Sequence, residues 1–317
     1  MEPLKQVLLL LVCIGSARGE EYYVSYQQQT YTSQPTARAL SVAVLQHTVA
    51  DTSALGRYLW LFGGLSSTMS ALSDLWMLNM QTNEWSTPAA SGSPPSARRA
   101  ATMVLHQQRY AYLFGGENTA RSRLNDMYLL NLEGTGPVWE AIGYNTSGST
   151  TPVARSEHTF AAATLLQLPN TPDGMILFGG VDQTGKALAD LHAFDFNTLE
   201  WHELAPAGTG PQKRKGHAAC VLLNSLMAVM GGSDQDIPAV YDDVHMLDLR
   251  RNVWMQLTTT GVSRPVGRDG HTMLAIDETV YIFGGVNAQG EKLNDLWAFN
   301  AYSAVSGAGL VPHSDAP

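Results

Sequence analysis

The sequence predicts an all-β protein assembled from five copies of one four-stranded unit. Three recurrences carry that prediction. Paired glycines stand at Gly63-Gly64, Gly115-Gly116, Gly179-Gly180, Gly231-Gly232 and Gly284-Gly285, with spacings of 52, 64, 52 and 53 residues. An aspartate follows the first glycine of each pair by eleven residues, or by twelve in the fourth unit: Asp74, Asp126, Asp190, Asp243 and Asp295. A tryptophan then closes four of the five units, at Trp85, Trp139, Trp201 and Trp254, and Ser306 takes its place in the fifth. Self-similarity at one long period marks an array of supersecondary units.

Each unit contains four strand signals in order. Before the glycines comes a short apolar run such as Met175-Ile176-Leu177-Phe178 or Val280-Tyr281-Ile282-Phe283. Such a run, stopped by two glycines, reads as a buried strand. After the aspartate comes a second run, such as Leu75-Trp76-Met77-Leu78 or Leu191-His192-Ala193-Phe194. The tryptophan strand follows after a turn. Each unit is led in by an arginine: Arg38, Arg98, Arg155, Arg214 and Arg268. Three of these begin an Arg-x-x-His arrangement with His158, His217 and His271, where units one and two have Ser41 and Ala101. The strand after the arginine is rich in small and apolar residues, as suits an innermost strand crowded around an axis.

Glycine pair, aspartate and tryptophan in this order and at this period resemble the kelch repeat, and the match runs from Arg38 to about Asn300. The resemblance implies an all-β, kelch-type β-propeller in which each repeat is one four-stranded antiparallel blade. One blade cannot bury both of its faces, so the repeats must stack radially. Five blades are visible. Six or seven are more usual in the family, which leaves room for a sixth, divergent blade. Glu21 to Thr30, with Tyr22, Tyr23, Val24 and Tyr26, precedes Arg38 much as a tryptophan strand precedes each later arginine. It is expected to pair in the last blade and close the ring, which removes exposed sheet edges.

The chain's ends suggest export. Lys5 precedes an apolar run from Val7 to Ile14, followed by Gly15-Ser16-Ala17-Arg18-Gly19. This is the order of a secretory signal peptide, cleaved near Gly19. The run is too short to span a membrane. The expected organisation is therefore a signal peptide at 1–19, a kelch β-propeller at 20–302 and a flexible C-terminal tail at 303–317. Removing the leader takes two basic residues, one acidic residue and Cys13, moving the net charge from −9 to −10 and leaving Cys220 alone. Cys220 lies in an apolar strand signal and reads as a buried, inert thiol. Asn145-Thr146-Ser147 is a glycosylation sequon in a polar loop, and a glycan is expected at Asn145.

Composition narrows the function. Basic runs such as Arg98-Arg99 and Lys213-Arg214-Lys215 are too short for a nucleic-acid surface. A ring of histidines spread over three blades does not converge as metal ligands must. No cofactor or metal is expected.

Two roles are open to the five arginines. In some kelch domains arginines at this position line the central opening and grip acidic peptides, since a planar fork suits carboxylates. Alternatively each arginine holds backbone carbonyls or a repeat aspartate between blades. The aspartates, glycines and tryptophans recur as faithfully, so the structural role is favoured. Catalytic residues are singular, whereas packing residues repeat.

Recognition belongs where the repeats differ, in the loops. Glu117, Arg121 and Arg123 in one loop, and Asp234, Asp236 and Tyr241 in another, join the five arginines as a candidate binding face. The leading expectation is a non-catalytic, monomeric, extracellular propeller that binds a protein or glycan. One alternative is a secreted carbohydrate-active enzyme on a galactose-oxidase-like kelch propeller, for which the chain lacks a second cysteine after processing and an evident tyrosine partner. The other is an intracellular scaffold or adaptor.

Overall fold

The computed structural model describes residues 34–50, 54–144, 151–164, 173–223, 225–236, 239–257 and 264–301. The signal peptide, the closing strand expected over Glu21 to Thr30, the Asn145 sequon and the tail lie outside these residues. The described chain is all-β and forms five blades. The first contains Val42–Ala50, Ala54–Ser66, Ala71–Asn79 and Glu84–Ser86. The second contains Thr102–His106, Tyr110–Phe114, Met127–Asn131 and Val138–Ile142. The third contains Thr159–Thr164, Asp173–Phe178, Leu191–Asp195 and Glu200–Leu204. The fourth contains Ala218–Leu222, Leu226–Met230, Val244–Asp248 and Val253–Leu257. The fifth shows three strands, Thr272–Ile276, Thr279–Phe283 and Leu296–Asn300. Within each blade the strands pair antiparallel in chain order. The kelch-type propeller expected from the repeats is therefore the observed fold.

Two connections add a further edge. Ser91–Gly92 runs parallel to the outer strand of blade 2, and Ala207–Gly208 does the same on blade 4. The chain thus laps the next blade's rim before reaching its axis.

The seams between blades explain the repeated aromatic positions. In blades 1, 2 and 3 the residue before the glycine pair meets the tryptophan of the next blade. Phe62 and Trp139 have ring centroids 5.1 Å apart, as do Phe114 and Trp201, and Phe178 and Trp254 are at 5.7 Å. Trp139 and Trp201 are almost wholly buried. Tilted aromatic pairs of this kind add about 0.5–1.5 kcal/mol beyond the area they bury. Four of the five apolar clusters among the described residues accordingly span two blades: Phe178 and Leu191 of blade 3, for example, share one with Met227, Leu247 and Trp254 of blade 4, whereas Leu59, Leu61, Leu78 and Trp85 form one within blade 1.

A second register of contacts runs around the axis. The residue two after each lead-in arginine adopts a left-handed backbone, with φ of 54° at Leu40, 50° at Ala100, 57° at Glu157, 63° at Gly216 and 65° at Gly270. Each donates its N–H to the carbonyl of its counterpart one blade back: Ala100 to Leu40, Glu157 to Ala100, Gly216 to Glu157 and Gly270 to Gly216, at 2.8 to 3.1 Å. The units are tied through their backbones, independently of side-chain identity. Among the described residues no such bond joins Leu40 to Gly270.

Candidate binding face

The lead-in segment and the loop after the glycine pair share one face in every blade. Arg38 and Ala39 pair with Ser66 and Leu65, Arg98 and Arg99 with Asn118 and Glu117, and Arg155 and Ser156 with Asp182 and Val181. Single bridges repeat this between Lys215 and Ser233 and between Asp269 and Val286.

The five arginines are buried beneath that face, the last four almost completely. Each guanidinium spans the repeat aspartate of its own blade through two parallel hydrogen bonds. Arg155 Nη1 and Nη2 donate to Asp190 at 2.7 and 2.6 Å, and Arg268 reaches Asp295 at 2.8 and 2.9 Å. The same fork joins Arg38 to Asp74, Arg98 to Asp126 and Arg214 to Asp243. Nη1 of Arg155 also donates to the carbonyl of Gly179, and Nε to that of Val153. A ligand carboxylate would have to displace these bonds. The pairing closes within a blade and not between blades.

The aspartate carries a further donor in four blades. Trp76 and Trp297 donate their indole N–H at 2.6 Å, and His192 and His245 share Nε2 contacts of 2.9 and 3.0 Å. Burial alone would raise the Asp190 and Asp243 carboxyls, but the hydrogen bonds from arginine and histidine outweigh it and hold both well below the usual carboxylate range. The Arg268 hydrogen bonds hold Asp295 at about 2.

The three Arg-x-x-His histidines sit in the seams. His158 Nε2 lies 2.7 Å from the Thr102 hydroxyl, and His217 Nε2 lies 2.9 Å from that of Thr159. Burial pushes His158 down to about 3 and His271 to about 4, and it holds His217 well below its ordinary value. Burial also pushes the Cys220 thiol up to about 12. Among the described residues, no three histidine, cysteine or acidic side chains converge as a metal site.

The loops after the glycines share a frame. The residue two after the second glycine caps its own turn: Asn118 Oδ1 accepts from the N–H groups of Ala120 and Ser122, Asp182 Oδ1 from Thr184 and Lys186, and Asn287 Oδ1 from Gln289 and Glu291. Ser66 does this with its hydroxyl toward Ser70. On this frame the side chains change from blade to blade. Blade 1 presents Leu40, Leu65 and Met69, with no charge in its loop. In blade 2, Glu117 is buried, accepting from Arg99 at 2.5 Å with Arg123 at 3.8 Å, while Arg121 stands exposed. Lys215 of blade 4 reaches Glu157 of blade 3 at 3.2 Å. Lys213 bridges buried Asp234 and exposed Asp236, and Ser233 donates to Asp269 of blade 5. Tyr241 lies over the Arg214 guanidinium, 4.4 Å from ring centroid to Cζ. A cleft of ≈ 390 Å³ opens between Val240, Asp242, Arg264, Val266 and Asn287.

Two features of this face escaped the sequence reading. A proline stands three residues before every lead-in arginine, at Pro35, Pro95, Pro152, Pro211 and Pro265, and the middle three are buried. Proline fixes the extended approach that brings the next carbonyl to the arginine Nε. The residue after the arginine, such as Arg99, Ser156, Lys215 or Asp269, pairs with the loop after the glycine pair. Both positions are readable in the five repeats, three residues before the arginine and one after it.

Comparison with known proteins agrees with the repeat. Residues 15–167, 46–265 and 166–306 match the family described as the KLHDC2/KLHL20/DRC7 Kelch-repeats domain. The chain is 33% identical over 203 residues to Kelch domain-containing protein 3 of Homo sapiens, covering 61% of this chain and 49% of that protein. It is 27% identical over 251 residues to Acyl-CoA-binding domain-containing protein 5 of Arabidopsis thaliana, covering 64% and 38%. Host cell factor 1 of Homo sapiens is 29% identical over 280 residues, covering 76% and 13%. The chain spans less than half the length of these curated relatives. Among solved structures, YjhT superposes with a TM-score of 0.61 at 16% identity, covering 83% of this chain and 81% of that one.

Proposed function

The chain belongs to the kelch-repeat β-propeller family, and on that premise we propose that it is a binding protein that holds a protein partner on its loop face. One observation carries the reading: the arginines that repeat are consumed by their own aspartates, whereas the loop side chains above them change from blade to blade. An interior that repeats and a rim that varies is what a recognition surface on a fixed frame requires. Full chain on beads should capture a partner that a variant with Arg121, Arg123, Lys213 and Asp236 neutralised together does not. Equal capture by both would remove the loop face as the site.

The finer reading is that the protein acts outside the cell, as a monomer, with a glycan at Asn145 and a protein in preference to a glycan as ligand. Lys5, the apolar run from Val7 to Ile14 and the small residues near Gly19 support export. Sequencing the N-terminus of tagged protein collected from culture medium tests it: a start just after Gly19 is expected. Retention of the full-length chain in the cytosol would favour an intracellular adaptor.

A further inference from the structure

We infer that the cleft between the blade 4 and blade 5 loops binds a small zwitterion that carries a carboxamide, the chemistry of free glutamine. The site is independent of any protein partner held on the loops.

Two sibling seams show what fills this place elsewhere in the ring. The third residue after the glycine pair is Gln183 in blade 3 and Gln235 in blade 4. Each reaches back to the loop of the preceding blade. Gln183 Oε1 accepts the Arg123 N–H of blade 2 at 2.6 Å, and its Nε2 approaches the Arg121 carbonyl at 3.5 Å. The Gln235 carboxamide lies against Gly185 of blade 3, where a Cβ would stand 3.1 Å from Nε2. Arg121 and Gly185 hold the same loop position, five residues before the repeat aspartate. Blade 5 has Ala288 in place of the glutamine, and a methyl group cannot span the seam. Gln289, one place on, stands exposed on the rim, and no hydrogen bond joins its side chain to blade 4 among the described residues.

The result is an opening lined by Val240 of blade 4 and by Pro265, Val266 and Ala288 of blade 5. Its volume of ≈ 390 Å³ lies in the range of small-molecule sites. The lead-in proline reports the same gap: Pro95, Pro152 and Pro211 are buried, whereas Pro265 is half-buried.

The backbone donor that a carboxamide would meet is still present. Val240 pairs with Ser233 as Arg123 pairs with Glu117. In both hairpins the next residue, Tyr241 or Leu124, donates to the second glycine of the pair, Gly232 or Gly116. The Val240 and Arg123 N–H groups therefore point away from their own hairpins. Arg123 gives this N–H to Gln183, whereas that of Val240 has no acceptor among the described residues.

The same lining carries one charge pair. Arg264 Nη2 lies 2.8 Å from Asp242 Oδ2, with side chains 57% and 43% exposed. A pair this exposed contributes little to the fold. The guanidinium has donors to spare for an α-carboxylate, and the aspartate can accept from an α-ammonium. The ligand's carboxamide oxygen then accepts from Val240, and its two methylenes lie on Pro265 and Val266. No second cation lines the cleft. A side-chain carboxylate would add an unpaired negative charge to a chain that already carries −9. A wholly apolar side chain would leave the Val240 N–H unpaired.

Isothermal titration of the full chain with L-glutamine tests the site. Saturable binding is expected, with L-glutamate and L-norleucine each weaker by about tenfold or more. Ala288→Gln should abolish binding by supplying the side chain that Gln183 and Gln235 supply, with the melting temperature unchanged or raised. Arg264→Gln should weaken glutamine about tenfold or more, with little change in melting temperature because the pair it breaks is exposed. Absence of saturable binding, undiminished binding in Ala288→Gln, or equal binding of the three amino acids overturns the inference. N-acetyl-glutamine methylamide carries the carboxamide and neither charge. If it binds as tightly as glutamine, the cleft takes a glutamine side chain of a protein and the free amino acid is ruled out.

Discussion

His217 Nε2 and the Thr159 hydroxyl meet at 2.9 Å across the seam between blades 4 and 3. The same bond joins His158 to Thr102 one blade earlier. The next seam breaks the pattern, since blade 4 has Ala218 where the threonine would stand. His271 Nε2 is consequently buried with no hydrogen-bond partner among the described residues. Ala218→Thr should stabilise the protein by about 1 kcal/mol, and Thr159→Ala should destabilise it by about 1–2 kcal/mol, because an orphaned buried group loses more than one bond is worth. Chemical denaturation of the two variants checks the pair. A loss of stability in Ala218→Thr would mean the seam has no room for the hydroxyl.

The seam histidines also set a pH dependence. His158 and His271 titrate near 3 and 4 in the folded chain, and His217 well below its ordinary value of 6.5, chiefly because burial disfavours the cation. The unfolded chain takes up these protons first. Their contribution is complete above about pH 6.5 and is lost as pH falls from there toward 4, at up to about 1.4 kcal/mol per pH unit for each histidine. The aspartates Asp190, Asp243 and Asp295 act in a lower window, below their ordinary value of 3.8. Urea midpoints should therefore fall between pH 6.5 and 4, before carboxylate protonation begins. A flat midpoint over that range would contradict the buried neutral histidines.

Asp190→Asn removes the partner of a guanidinium that has no exposure to water. An uncompensated buried charge costs about 3–5 kcal/mol. Arg155→Lys should fare little better, since an ammonium cannot span both carboxylate oxygens and the Gly179 carbonyl as the planar fork does. Thermal melts of both variants should fall well below the wild type. Melts unchanged by Asp190→Asn would show that the pair is not structural.

Two glycines at the same repeat position should respond differently. A Cβ at Gly179, with φ of +62°, would lie 2.9 Å from the Arg214 carbonyl oxygen and 3.0 Å from His217 Cε1. At Gly284, with φ of +68°, it would meet, among the described residues, only the Leu293 oxygen at 3.4 Å. Both alanine variants suffer the left-handed backbone, about 1–2 kcal/mol. Gly179→Ala adds an overlap with the next blade that backbone atoms cannot relieve. Its denaturation midpoint should drop visibly further than that of Gly284→Ala.

Much of the frame was readable along the chain. The glycine pairs, aspartates and tryptophans recur because every blade solves one packing problem, and a repeated problem leaves a period in the sequence. The candidate face was less legible. Glu117 and Asp234 are charged loop residues on paper, yet Glu117 is folded under two arginines and Asp234 is buried beside Lys213. Ala288 drew no notice, because an exposed alanine is ordinary until Gln183 is seen to bridge the sibling seam.

The periodic residues by themselves mark five repeated units of short strands, and their resemblance to the kelch repeat implies that the units stack as blades. Whether Arg155 faces a ligand or Asp190 depended on where two residues thirty-five positions apart come to rest. Only folding brings the fork and the carboxylate together, and desolvation then makes their separation costly. The backbone relay from Leu40 to Gly270 and the left-handed tips at Arg121 and Gly185 likewise exist only in three dimensions, because φ is a property of the folded path and not of the residue.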